Sequence, residues 1–202
     1  MSCTLWFTGL SGAGKTTLSR AVLLSIRQRG VKAEWLDGDI IRANFSAELG
    51  FTKRDRDVNV RRIGFVSHLL NRNGVVSVVA AIAPYEDARK QNRALLDRYV
   101  EVFCKCPLDV LCERDPKGLY RRAIAGEIKC FTGVSDPYEE PCSPDIVLDT
   151  ASKDIESCSA EVVAYLEQCG LIPCEAGCLS AEAIACEEVS WRKRLASLGY
   201  AR

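Results

Sequence analysis

The stretch GLSGAGKTT, residues 9–17, constrains this chain more than any other. It satisfies G-x-x-x-x-G-K-(S/T) in full. It lies between an apolar run, TLWFTGL (4–10), that reads as a strand, and a helical pattern from about Lys15 to Arg29 that Gly30 stops. Strand, glycine-rich turn and helix in that order make a phosphate cradle. Gly9, Gly12 and Gly14 let backbone N–H groups converge on phosphate oxygens, and the helix adds its positive end. Lys15 is placed to reach the β- and γ-phosphates and Thr16 to hold Mg²⁺. A plain glycine-rich turn leaves the Lys-Thr pair without a reason. The motif identifies a phosphate donor and leaves the acceptor open.

Further along, strands and helices alternate. KAEWL (32–36) reads as a second strand and TKRDRDVNVRRIGFVSHLLNRNG (52–74) as a long helix. The apolar stripe of that helix is Ile63, Val66, Leu69 and Leu70, and Gly74 closes it. VVSVVAAIA (75–83) is a continuous, nearly apolar, β-branched run, as a strand covered on both faces should be. A helix around 86–98, a strand over 100–104, a last strand over 145–150 and a helix over 159–170 follow. The pattern predicts an α/β domain over residues 1–172, a parallel sheet with helices on both faces. Residues 114–141 break the alternation. They are basic at the start, interrupted by Gly and Pro and too polar for core, so they are expected to form a mobile lid. Residues 173–202 form an extension with helical spacing at Ile184, Trp191, Leu195 and Leu198.

Composition narrows the partners. The 202 residues carry 27 basic and 27 acidic side chains, so no net field points to nucleic acid or a membrane surface. The start of the chain does not read as a signal peptide, and the longest apolar run is about half of a membrane span, so a cytoplasmic protein is expected. The 11 cysteines are odd in number and scattered, which favours reduced thiols used as small hydrophobes over a disulfide framework. Cys174 and Cys178, on a Pro/Gly-containing linker, are expected to be exposed thiols without metal.

The acceptor side begins at LDGDIIRANF (36–45). Asp37 and Asp39 follow the second strand and so sit at the carboxyl end of the sheet, where ligands bind in this architecture. One could order Mg²⁺ through water while the other takes a proton from an attacking hydroxyl; a polar loop capping the next helix accounts for them equally well. Arg42 follows at a spacing that suits an anion on the same wall. Arg56, Asn59 and Arg62 recur on one helical face. A solvated charged face is the ordinary reading of such a run. Phe51 just before it and Phe131 in the lid could instead stack on a flat base.

Taken together, GLSGAGKTT, LDGD with Arg42, LGFTKRDRDVNVRRIGFVSHLLNRNGVV, RDPKGLYRRAIAGEIKCFTGVSDPYEEP and PDIVLDT resemble adenylylsulfate (APS) kinases, cyanobacterial ones especially, over about residues 4–172. The resemblance implies a P-loop kinase fold with five parallel strands and the phosphate-loop strand central. It implies transfer of the ATP γ-phosphoryl group to the 3′-hydroxyl of adenosine 5′-phosphosulfate, with Mg²⁺, in a homodimer. ATP contacts fall to Gly9, Ser11, Gly12, Ala13, Gly14, Lys15, Thr16, Thr17 and Arg114. The metal falls to Thr16 and Asp37, and catalysis to Lys15, Asp37, Asp39 and Lys117. APS contacts fall to Asp39, Arg42, Phe51, Arg56, Asn59, Ile82, Ala83, Lys117, Cys130 and Phe131. In this reading Phe51 and Phe131 sandwich the acceptor adenine. The chain departs from the family at Ala83, where members usually carry serine, and at Cys130, where glycine is common before the lid phenylalanine. A same-fold kinase with a different acceptor and a nucleotide-binding module without turnover are the competing readings. Retained Phe51, Arg56, Asn59 and Phe131 oppose the first, and retained Lys15, Thr16, Asp37 and Asp39 the second.

Overall fold

The computed structural model describes residues 2–174. The calls on Cys178 and on the helical spacing of the extension lie outside them. Five strands, β1 (Thr4–Thr8), β2 (Ala33–Asp37), β3 (Val76–Ala80), β4 (Tyr99–Lys105) and β5 (Ile146–Asp149), form one sheet in the order β2-β3-β1-β4-β5. Every pairing is parallel, and β1, which feeds the phosphate loop, is central. Seven helices complete the described residues: α1 (Lys15–Gln28), α2 (Gly38–Phe45), α3 (Lys53–Arg72), α4 (Glu86–Leu95), α5 (Leu108–Arg114), α6 (Leu119–Ile124) and α7 (Ile155–Gln168).

The inner strands β1 and β3 are buried along their whole length because both of their faces are covered. On β1, Leu5 and Phe7 enter the core under α1 and α7, while Trp6 between them enters the core under α3 and α4. On β3, Val76 and Val78 take the first side and Val79 the second. At the α3–α4 crossing a Cβ on Gly64 would lie 2.1 Å from Asn92 Oδ1, so only glycine allows the approach. Cys3, Cys104 and Cys158 are almost fully buried as small hydrophobes. Burial pushes the Cys3 and Cys104 thiols up to about 12, which makes them poor nucleophiles.

Three expectations change. Leu69, assigned to the apolar stripe of α3, is exposed, and Val60, Gly64 and Ser67 are buried instead. The short helix α5 was not distinguished in the sequence, and α2 was foreseen only as the helix that the Asp37–Asp39 turn would cap. The segment 114–141 is not purely polar surface: Tyr120 and Ala123 of α6 are buried, with Thr132 after them. Tyr120 donates its hydroxyl to Ser11 O at 2.8 Å, fixing α6 to the phosphate loop. No described helix is long and apolar enough to cross a membrane.

Candidate active site

A cleft of about 470 Å³, a volume that suits a nucleotide-sized ligand, opens at the carboxyl ends of β1, β2 and β3. Its floor is the phosphate loop and the first turn of α1: Ser11, Gly12, Gly14, Lys15, Thr16 and Thr17. Gly9 and Ala13 lie beneath this lining. At Gly9, φ is 139°, and a Cβ would sit 2.5 Å from Cys104 O, so the turn out of β1 requires glycine. Lys15 Nζ donates to Leu10 O at 2.7 Å and so curls over its own loop. Burial pushes the Lys15 ammonium down to about 8, with Asp39 and Asp37 partly restoring it.

Asp37 ends β2 and serves two partners. Its Oδ1 caps α2 by accepting from Asp39 N at 2.9 Å and Ile40 N at 3.2 Å. Its Oδ2 accepts from Thr16 Oγ1 at 3.2 Å. The cap reading of this turn and the ligand reading therefore hold together, one for each oxygen. Threonine hydroxyl and carboxylate are hard oxygen donors, and two such groups leave room for water and phosphate oxygens. That donor set fits Mg²⁺, which keeps several waters and takes few protein ligands. Asp39, one turn on, is exposed at the cleft mouth, and Lys117 Nζ reaches it at 2.9 Å from the loop after α5.

The opposite wall is basic and aromatic. Phe51 is 55% exposed. The Arg42 guanidinium lies 4.9 Å from its ring centroid and that of Arg56 5.4 Å. Arg42 donates to Gly50 O at 2.7 Å; burial and the Arg56 charge hold its pKa below the usual value. Two guanidiniums in mutual repulsion, half-shielded from water, favour an anion between them. Asn59, also lining the cleft, is buried with its Oδ1 unpartnered among the described residues, an acceptor for a ligand N–H or O–H.

Ile82, Ala83 and Pro84 form the back. Ala83 has φ 45° and Cys130 φ 55°; among the described residues these are the two non-glycine positions with positive φ. The left-handed conformation costs an L-residue roughly 1–2 kcal/mol. At Ala83 a buried network supports it. Arg89, almost fully buried, donates to Ala83 O at 2.7 Å and pairs with Glu86 and, at 3.1 Å, with Glu101.

Other expected residues lie off the cleft lining. Phe131 is half-buried and meets Tyr120 edge-on at 5.2 Å between ring centroids. Cys130 is exposed, and its carbonyl accepts from Arg56 Nη2 at 2.6 Å. Arg114, the last residue of α5, donates to Thr150 O at 3.0 Å. Arg62, grouped by spacing with Arg56 and Asn59, turns away to Glu48 at 2.6 Å. Sequence reasoning missed Tyr120, Tyr85 and Asp136, which hold the lid segment. Tyr120 had one signal, a tyrosine in a segment otherwise too polar for core; Tyr85 and Asp136 had none.

A phosphate loop facing an arginine–aromatic wall across one cleft, at the end of a 2-3-1-4-5 parallel sheet, defines a phosphotransferase of the P-loop kinase class. The family model for adenylylsulphate kinase matches residues 1–149. An adenylyl-sulfate kinase from Picosynechococcus sp. is 52% identical over 84% of this chain and 96% of its own length. A probable bifunctional SAT/APS kinase 2 from Sorangium cellulosum is also 52% identical, but the chain spans only 29% of that longer protein. The Mycobacterium tuberculosis APS kinase solved with AMPPNP and APS superposes with a TM-score of 0.79 and 40% identity, over 82% of this chain and 98% of that one. The chain belongs to the adenylylsulphate kinase family.

Proposed function

We propose that this protein transfers the γ-phosphoryl group of ATP to the 3′-hydroxyl of adenosine 5′-phosphosulfate, giving 3′-phosphoadenylyl sulfate. One observation carries the reading. The phosphate loop with Lys15, Thr16 and Asp37, and the wall of Arg42, Phe51, Arg56 and Asn59, line the same cleft. The family membership and the relative solved with AMPPNP and APS support it. The resemblance further supports Mg²⁺ and a homodimer.

In this reading the loop amides and Lys15 hold the β- and γ-phosphates, and Ser11, Gly12, Gly14, Thr16 and Thr17 line their path. Gly9 and Ala13 shape the loop from below, and Arg114 lies towards the ATP base. Thr16 and Asp37 would hold Mg²⁺, which supplies charge neutralisation on the phosphates. Phe51 stacks on the acceptor adenine, with Phe131 of the lid as its partner. Arg42, Arg56 and Asn59 receive the phosphosulfate end. Ile82, Ala83 and Cys130 shape the acceptor side. Asp39 orients the 3′-hydroxyl and takes its proton, and Lys117 moves between Asp39 and the transferred phosphoryl.

Serine at position 83 would offer a protein hydroxyl for a two-step transfer. Ala83 has none, so transfer is direct and in line. With ATP of isotopically chiral γ-phosphate, the 3′-phosphate of the product is expected to show net inversion. Retention, or a phosphoenzyme trapped from ATP alone that passes its phosphate to APS, contradicts direct transfer. A label that never reaches the APS 3′-oxygen contradicts the function.

Lys15 predicts a pH dependence. Its ammonium titrates near 8 in the free protein, and bound phosphates must raise that value. Below pH 8 Lys15 is already charged, and ATP binding takes up no proton there. Above pH 8 binding consumes a proton, and affinity falls as pH rises. Calorimetry at pH 9 in buffers of different ionisation enthalpy should show proton uptake that Lys15→Met abolishes.

A further inference from the structure

We propose that Asp136, in the lid segment, is a positioning residue for the acceptor: it fixes the Arg56 guanidinium in the cleft wall and ties that wall to the lid. This deepens the acceptor reading above and rests on it.

Arg56 is 8% exposed although it lines the cleft. Its N–H groups are partly committed to the protein. Nε donates to Phe51 O at 3.0 Å, and Nη2 donates to Cys130 O at 2.6 Å. Those two carbonyls belong to the aromatic residue of one wall and to the neighbour of the lid phenylalanine. Arg56 therefore joins the two segments that carry Phe51 and Phe131. Nη1 has no hydrogen bond among the described residues and is left for a ligand anion.

A guanidinium this buried needs a counter-charge. Asp136 Oδ2 supplies it, 3.5 Å from Arg56 Nε. The same oxygen accepts the Tyr85 hydroxyl at 3.0 Å. Tyr85 is buried directly after Ala83 and Pro84, so one carboxylate oxygen bridges α3, the back of the cleft and the lid. Burial and this hydrogen bond push the Tyr85 phenol up to about 12, which keeps it a donor at any working pH.

The turn that presents Asp136 is compact in its own right. Phe131 O accepts from Val134 N at 3.1 Å, Ser135 N at 3.0 Å and Asp136 N at 3.1 Å. Ser135 Oγ accepts from Phe131 N at 2.9 Å. The next residues are anchored separately: Tyr138 OH lies 3.0 Å from Thr8 Oγ1, and Glu139 N donates to Pro84 O at 2.8 Å. Loss of the Asp136 carboxylate thus strips Arg56 of its counter-charge and leaves it on its two carbonyl contacts, without detaching the lid segment. A guanidinium held by two neutral acceptors alone is less firmly oriented, and the acceptor loses part of a preorganised partner.

The test uses the full chain with Asp136→Ala, Asp136→Asn and Tyr85→Phe. In the ligand-free protein, the Arg56 Nε–H, which donates to Phe51 O, should exchange slowly in the wild type and in Tyr85→Phe, and exchange several-fold faster in Asp136→Ala, where the charge that steadies the guanidinium is gone. In turnover, Asp136→Ala should raise KM for APS about tenfold or more while KM for ATP stays within about twofold. Asp136→Asn, which keeps an acceptor oxygen without the charge, should fall between. An Arg56 signal unchanged in Asp136→Ala overturns the proposal. So does a parallel rise of both KM values with a lowered melting temperature, since that marks general loosening. If the Arg56 signal responds as expected but the wild type does not use APS, the positioning role stands and the substrate reading fails.

Discussion

Replacing Lys15 with alanine is expected to lower turnover on the order of a thousandfold, the scale found when one fixed donor to developing charge is removed. Charge spread over the transferred phosphoryl loses its nearest fixed cation, and neither Lys117 nor Arg42 belongs to the phosphate loop. The fold should not suffer. Burial holds Lys15 near 8, below the value of a free lysine, so keeping it charged costs the folded state something below pH 8. That cost disappears as pH rises from about 8 past the unfolded value. Lys15→Ala removes it at neutral pH, and the melting temperature should stay level or rise. Near-normal turnover in the variant would contradict the phosphate-loop assignment.

Asp39→Asn is expected to cost roughly a hundredfold or more in turnover, the range for a lost general base. ATP binding should remain nearly intact, because the contact with Thr16 belongs to Asp37. Stability should barely change: the Asp39–Lys117 pair is exposed on both sides, and such pairs contribute little. Steady-state kinetics beside direct ATP·Mg²⁺ binding distinguishes the alternatives. If binding collapses while chemistry survives, the two aspartates have exchanged roles.

The sheet was legible because its signal is local. A β-branched run such as VVSVVAAIA favours a covered strand, which forms over Val76–Ala80, and the phosphate loop marks its own strand and helix. The count of five parallel strands and the central place of β1 came from the resemblance and agree with the structure, while the order of the outer strands was not read. The placing of Lys15, Thr16, Asp37 and Asp39 on the cleft was equally legible, because the phosphate loop sets the first two at the start of α1 and the last two stand at the end of β2. The lid half was not. Tyr120 reaching Ser11 O, and Asp136 reaching Arg56 and Tyr85, are contacts across 51 to 109 positions of chain that no periodicity encodes. Leu69 was misplaced because a four-residue stripe was fitted to the apolar residues. On α3 the buried face instead runs through Arg56, Asn59, Val60, Ile63, Gly64 and Ser67, which mixes polar site residues with small ones. Cys130 looked like a simple replacement of glycine; its φ of 55° gives the physical reason that glycine suits the position.

ATP consumption by the purified protein with Mg²⁺, measured with and without adenosine 5′-phosphosulfate, tests the central claim most directly. The arrangement of donor loop and acceptor wall in one cleft predicts ADP release that depends on APS and matches the 3′-phosphoadenylyl sulfate formed. ADP release that needs a different alcohol, or ATP binding with no turnover when APS is present, would contradict it.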